Sequence, residues 1–96
     1  KTIEPGLVAT EIGAKAVFAT HPAYEALTSK FMAMLAPDKA ASNSEQIAEV
    51  VYGAATDATN TLRYVCGEDA KELYAQRLAA GDEAFRSGIK QLLAAV

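Results

Sequence analysis

The feature that most limits what this chain can become is the separation along it of two strand-like stretches. The first ends near Ile3, just before Pro5-Gly6, and the second runs from Thr61 to Cys66. Ile3 is β-branched and apolar, and Pro5, which lacks an amide hydrogen, stops the ladder behind it. In the second stretch Leu62, Tyr64 and Cys66 alternate with Arg63 and Val65, the period-two pattern of a strand. Two helical patterns lie between them. A hairpin is therefore excluded, and the strands are expected to run parallel through a crossover. Two strands alone make a poor sheet. The chain thus reads as an α/β segment, mostly helical, from the end of a larger parallel sheet. The apolar faces of its helices are suited to packing on strands that it does not itself supply.

The segments between and after the strands follow from periodicity. Glu11 to His21 has no clean period and reads as an irregular, partly helical loop with a hinge at Gly13. Pro22 suits the first position of a helix. Tyr24, Leu27, Phe31, Met34 and Leu35 recur at helical spacing, so an amphipathic helix is expected over 22–36, ended by Pro37-Asp38. Ser42 and Glu45 have the spacing of a capping box. Behind them Ile47, Val50, Val51, Ala54 and Ala55 give the clearest helical stripe, with Glu45, Glu49 and Asp57 opposite, over about 43–58. Gly67 ends the second strand. Asp69 then opens a helix whose stripe is Ala70, Leu73, Tyr74 and Leu78, and Gly81 suits its C-cap. Asp82 opens a last helix bearing Phe85, Ile89, Leu92, Leu93 and Val96 on one face.

Composition narrows the function classes. The apolar fraction of 51% suffices for a globular core. Nine Lys and Arg are interspersed with twelve Asp and Glu, for a net charge of -3. There is no basic run of the kind that tracks phosphates, so no nucleic-acid partner is expected. A single cysteine excludes an internal disulfide framework and a cysteine-based structural zinc site, and fits a reducing compartment. No apolar run approaches the ~20 residues of a membrane helix, and no signal-peptide pattern follows Lys1. The expectation is a cytoplasmic protein without a membrane partner. The lack of an initiating Met suggests a start within a longer protein.

Several single residues receive structural readings. His21, the one histidine, has no second ligand at metal-binding spacing and is expected either to cap the helix behind it or to face solvent. Cys66 reads as a buried, inert thiol. Glu68 and Asp69 read as capping and dipole features of a helix start. Arg63 reads as a guard against unwanted edge pairing or as part of a subunit contact. No metal site is expected.

The stretch Pro5-Gly6-Leu7-Val8-Ala9-Thr10 remains as the candidate ligand contact. In an open α/β sheet, ligands lie beyond the carboxyl ends of strands. Gly6 permits backbone angles or a close approach that a side chain would forbid. Val8 and Thr10 share one direction if the chain stays extended. This run resembles the Pro-Gly-x-Val-x-Thr motif of the short-chain dehydrogenases/reductases, where it follows the sixth strand of a Rossmann-type, doubly wound parallel sheet. The later order is similar too: a variable loop and helix, a helix like 44–58, and an edge strand like Leu62–Cys66 leading into Gly67-Glu68-Asp69-Ala70. The resemblance covers essentially the whole chain. It implies one Rossmann-fold domain's C-terminal segment. In it 1–10 is the strand end and cofactor-contacting turn, 11–42 the substrate-binding loop and helix, and 43–96 the helix, edge strand and two final helices.

The resemblance also implies roles. Pro5, Gly6, Val8 and Thr10 would contact NAD or NADP, with the Val8 backbone at the nicotinamide carboxamide. Phe18, Phe31, Met32 and Met34 are candidate apolar liners of the loop that receives a small alcohol or carbonyl substrate. The 44–58 helix and the 62–66 strand would form a homo-oligomer contact. The family's glycine-rich phosphate loop and its Tyr-x-x-x-Lys pair have no counterpart here. Tyr24, Tyr52, Tyr64 and Tyr74 are followed at that offset by Thr28, Thr56, Glu68 and Leu78. No catalytic residue is carried over, and the segment alone is expected to be inactive. The alternative, from another class, is a small non-catalytic helical module that assembles through its apolar faces.

Overall fold

A computed structural model of the chain describes residues 1–35 and 41–94. The elements are β1 (Thr2–Pro5), α1 (Ile12–Lys15), a 3-10 turn (Pro22–Tyr24), α2 (Glu25–Met34), α3 (Ser44–Thr56), β2 (Arg63–Cys66), α4 (Glu68–Ala80) and α5 (Asp82–Ala94). The expected end of the second segment at Pro37-Asp38, and Val96 on the last stripe, lie outside the described residues. The chain divides into two compact units.

The first unit comprises described residues 1–10 and 41–75. Its two strands are parallel, as the spacing predicts, with Thr2 opposite Arg63, Ile3 opposite Tyr64, Glu4 opposite Val65 and Pro5 opposite Cys66. This register joins the two strands at both ends. The Thr2 amide donates to the Leu62 carbonyl at 2.7 Å and the Gly6 amide to the Cys66 carbonyl at 3.0 Å. The pairing begins at Arg63 rather than at Thr61, because Thr59 and Thr61 are held in a turn by the Asp57 carboxylate and the Thr59 hydroxyl. Helix α3 packs on both strands. Ala54 and Cys66, each 4% exposed, form the buried centre, and Cys66 is a buried free thiol as expected. The Arg63 guanidinium pairs with Glu4 across the ladder.

The start of α3 differs from the expected capping box. Asn43, not Ser42, is the N-cap, and its carboxamide accepts from the Gln46 amide while Gln46 Oε1 accepts from the Asn43 amide, both at 2.8 Å. Ser42 is displaced from that role because its backbone is already paired with Leu7 and Ala9. The helix then begins one residue later, which moves the reciprocal partner from Glu45 to Gln46. At its other end the helix stops at Thr56, two residues before the expected boundary, where Ala58 takes a φ of 54°.

The second unit comprises described residues 11–35 and 76–94. The loop expected over 11–21 contains one helical turn, and Gly13 lies inside it rather than at a hinge. Pro22 opens the next segment as expected, but as a 3-10 turn before α2 takes over at Glu25. The His21 ring caps it, Nδ1 accepting from the Ala23 amide at 3.1 Å. Helices α2 and α5 pack on each other. Gly81, with φ of 81°, closes α4 through its amide to the Arg77 carbonyl at 2.9 Å. The Asp82 carboxylate accepts from Arg77 Nε, also at 2.9 Å.

Candidate functional site

The carboxyl ends of the two parallel strands lie side by side, and the chain beyond each carries the candidate residues. Pro5 closes β1 and is exposed. Gly6 and Leu7 then pass beside Gly67 and the first turn of α4. The Leu7 amide donates to Asp69 Oδ2 at 2.7 Å. The Leu7 carbonyl accepts from the Ser42 amide at 2.9 Å, and the Ala9 amide donates to the Ser42 carbonyl at 2.8 Å. Val8 is thereby bridged to Ser42 in parallel fashion through its neighbours' groups. In an extended chain successive residues send their main-chain groups to opposite edges. The Val8 N–H and C=O consequently face away from Ser42, and neither has a hydrogen-bond partner among the described residues. Thr10 follows in an exposed bend.

Asp69 makes a contact beyond the first-turn role expected of it. It is the second residue of α4, which begins at Glu68 rather than at Asp69, and its carboxylate reaches back across the strand ends to Leu7. Room for it is made by two glycines. A Cβ on Gly6 would lie 2.1 Å from Asp69 Oδ1, and one on Gly67 2.8 Å from the same oxygen and 3.1 Å from Ser42 Oγ. Gly67 also takes a φ of 93°, which L side chains disfavour. Of the two freedoms anticipated for Gly6, the close approach is the one used. Asp69 Oδ1 is buried without a hydrogen-bond partner among the described residues, an arrangement that typically costs about 1–3 kcal/mol. The Gly-x-Asp spacing after a strand was visible in the sequence. What it faces, more than sixty positions away at Leu7, was not.

Beside this edge lies an open groove of about 330 Å³ between α3 and the start of α4, lined by Gln46, Ile47, Val50, Cys66, Gly67 and Lys71 among others. At the opposite end of the strands is a charged cluster. Lys1 Nζ donates to the Asp57 carboxylate and, at 2.7 Å, to the Ala54 carbonyl, and it sits 5.5 Å from the centre of the Tyr64 ring. The Tyr64 hydroxyl donates to the other Asp57 oxygen. Bonds from Lys1, Tyr64 and Thr59 hold the Asp57 carboxyl well below its usual range, and the bond to Asp57 raises the Lys1 ammonium. This cluster ties α3 to the entry of both strands. Tyr64 thus links β2 to the residue that follows α3.

In the second unit, Phe18, Phe31, Met32 and Met34 are all exposed. Met32 lines an open groove of about 450 Å³ with His21, Glu25, Thr28 and Ser29. Among the described residues no three His, Cys, Asp or Glu side chains gather as metal ligands, and no helix is long and apolar enough to cross a membrane.

Two proteins of Schizosaccharomyces pombe, both named as uncharacterized oxidoreductases, are each 39% identical to the chain over 87 residues. The likeness is to oxidoreductases. The match takes in 88% of this chain but 37% of either relative, so the chain spans little more than a third of the length of the curated relatives it matches. No protein-family model matches the chain, and no solved structure matches it significantly.

Proposed function

We propose that the chain is the C-terminal segment of a Rossmann-type, NAD- or NADP-dependent oxidoreductase of the short-chain dehydrogenase/reductase kind, acting on a small alcohol or carbonyl compound. The observation that carries this reading is the outward-facing main chain of Val8 beyond the end of a parallel strand. A carboxamide offers one donor and one acceptor, and the Val8 C=O and N–H supply the complementary pair. Pro5 and Gly6 set the path of the chain to that point, and Thr10, two residues on, is the further cofactor contact in this reading. The nicotinamide, when bound, supplies the hydride or accepts it. The residues of this segment orient it. The likeness to proteins named as oxidoreductases supports the general class.

The loop over 11–42, with its apolar Phe18, Phe31, Met32 and Met34, is the substrate-facing part of this proposal. The segment by itself is inactive in this reading, since no Tyr-x-x-x-Lys pair falls within it. Exposed Val51 and Tyr52 on α3 and Leu62 before β2 support a homo-oligomer contact through the 44–58 helix and the 62–66 strand. The test is titration of the complete polypeptide with NADH and NADPH, followed by cofactor fluorescence. One cofactor is expected to bind. Val8→Pro, which deletes the donor, should weaken it by about tenfold or more, while Val8→Ala, which keeps the main chain, stays within about twofold. A complete polypeptide that binds neither cofactor overturns the proposal.

A further inference from the structure

We infer that Asp69 is a positioning residue for cofactor binding: its carboxylate clamps the Leu7 amide and so fixes the edge on which Val8 presents its N–H and C=O. The inference rests on the cofactor reading above and names the group that makes that edge rigid. Three observations carry it. Asp69 Oδ2 accepts from the Leu7 amide at 2.7 Å, directly before Val8. The Leu7 carbonyl is held from the other side by the Ser42 amide, so both main-chain groups of the preceding residue are tied down. Finally, both glycines that flank the carboxylate lack the Cβ that would expel it, at 2.1 Å for Gly6 and 2.8 Å for Gly67.

The geometry is specific in a way that a helix cap is not. A carboxylate that served only the start of α4 would not need to be seated against Gly6, in the chain just beyond β1. Asp69 Oδ1 is buried with no partner among the described residues, beside the Oδ2 that accepts from the Leu7 amide. Buried, unsatisfied polar groups are rare in native structures and call for an explanation. Holding a main-chain edge at the mouth of a ligand site is the explanation that the position of Val8 supplies. Asp69 touches neither cofactor nor substrate in this account. It acts through the backbone of Leu7 and Val8.

The test uses the complete polypeptide and compares Asp69→Ala, Asp69→Asn and Gly6→Ala. Asp69→Ala removes the acceptor and should raise the Kd for NADH or NADPH about tenfold, with the substrate KM at saturating cofactor little changed. Asp69→Asn keeps an oxygen for the Leu7 amide and should restore binding to near wild type. Gly6→Ala pushes the carboxylate out and should match Asp69→Ala. Combining the two should weaken binding no further, because both remove the same contact. Leu93→Ala, on α5, serves as the stability control: it should lower the melting temperature without moving the cofactor Kd. Hydrogen exchange at the Leu7 amide without cofactor should speed up in Asp69→Ala and not in Asp69→Asn. Wild-type binding with an unchanged Kd in Asp69→Ala overturns this inference alone. A wild type that binds neither cofactor overturns it together with the proposed function.

Discussion

Glycine has opposite value at different positions of this chain. Gly67 has a φ of 93° and faces the Asp69 carboxylate, whereas Gly88, inside α5, has nothing within 4 Å of where a Cβ would sit. Gly67→Ala should therefore lose about 1–3 kcal/mol of stability from backbone strain and displacement of the carboxylate. Gly88→Ala should gain about 0.5–1 kcal/mol from helix propensity. Urea unfolding of the two variants checks both signs. Charge at the other end of the strands makes a pH prediction. The Asp57 carboxyl lies below its usual value of 3.8 in the folded state. A lowered carboxylate pKa contributes stability that is fully present above the unfolded value and is lost as pH falls through the folded one. Lys1, raised above 10.5, contributes below that value and loses its contribution as pH rises through the folded one. Asp57→Asn should flatten the acid limb of a stability profile measured from pH 2 to 6, with little change in shape near neutrality. Neither residue's role was legible in the sequence. Asp57 was read as one charge on a solvated helix face, and Lys1 received no role, because their meeting depends on where β1 lies against the end of α3.

At the scale of elements, what is local was readable and what is long-range was not. The stripes Ile47 to Ala55 and Phe85 to Leu93 predict helices, and helices stand there as α3 and α5. His21 and Gly81 perform the capping roles that their types and positions suggest. The capping box failed by one residue because Ser42 is drawn into a bridge with Val8, a partner far away in sequence. The consequence is measurable. Asn43→Ala should cost about 1 kcal/mol, while Ser42→Ala, whose side chain caps nothing at the helix start, should fall within about 0.5 kcal/mol. Thermal unfolding of the two variants distinguishes the observed cap from the expected one. The same distinction explains Asp69: its place at a helix start was legible, and the strand end that it holds was not.

The molecule as a whole has more apolar helix surface than it covers. Val51, Tyr52, Leu73, Leu78, Ile89 and Leu92 remain exposed, while among the described residues only Ala54 and Cys66 are classed as buried core. These are the faces expected to pack on strands supplied from elsewhere, and their exposure makes a prediction for residues 1–96 alone. Free in solution, residues 1–96 should self-associate and bind an apolar dye, and sedimentation velocity should show species larger than the 10.1 kDa monomer. A well-packed monomer without dye binding would contradict that expectation. The parallel order of the two strands was legible because their spacing leaves no other simple connection. The main-chain edge at Val8 was legible only as the sequel of a Pro-Gly turn, since its geometry is set by Ser42 and Asp69.

The central claim is that the main chain at Val8 receives the nicotinamide carboxamide, and hydrogen exchange resolved to single amides tests it most directly. The complete polypeptide would be measured alone and with saturating NADH or NADPH. The account predicts that exchange at the Val8 amide slows in the presence of the cofactor that binds, while the Leu7 amide, already held by Asp69, changes little. Binding of a cofactor with no change in exchange at Val8 would contradict the account.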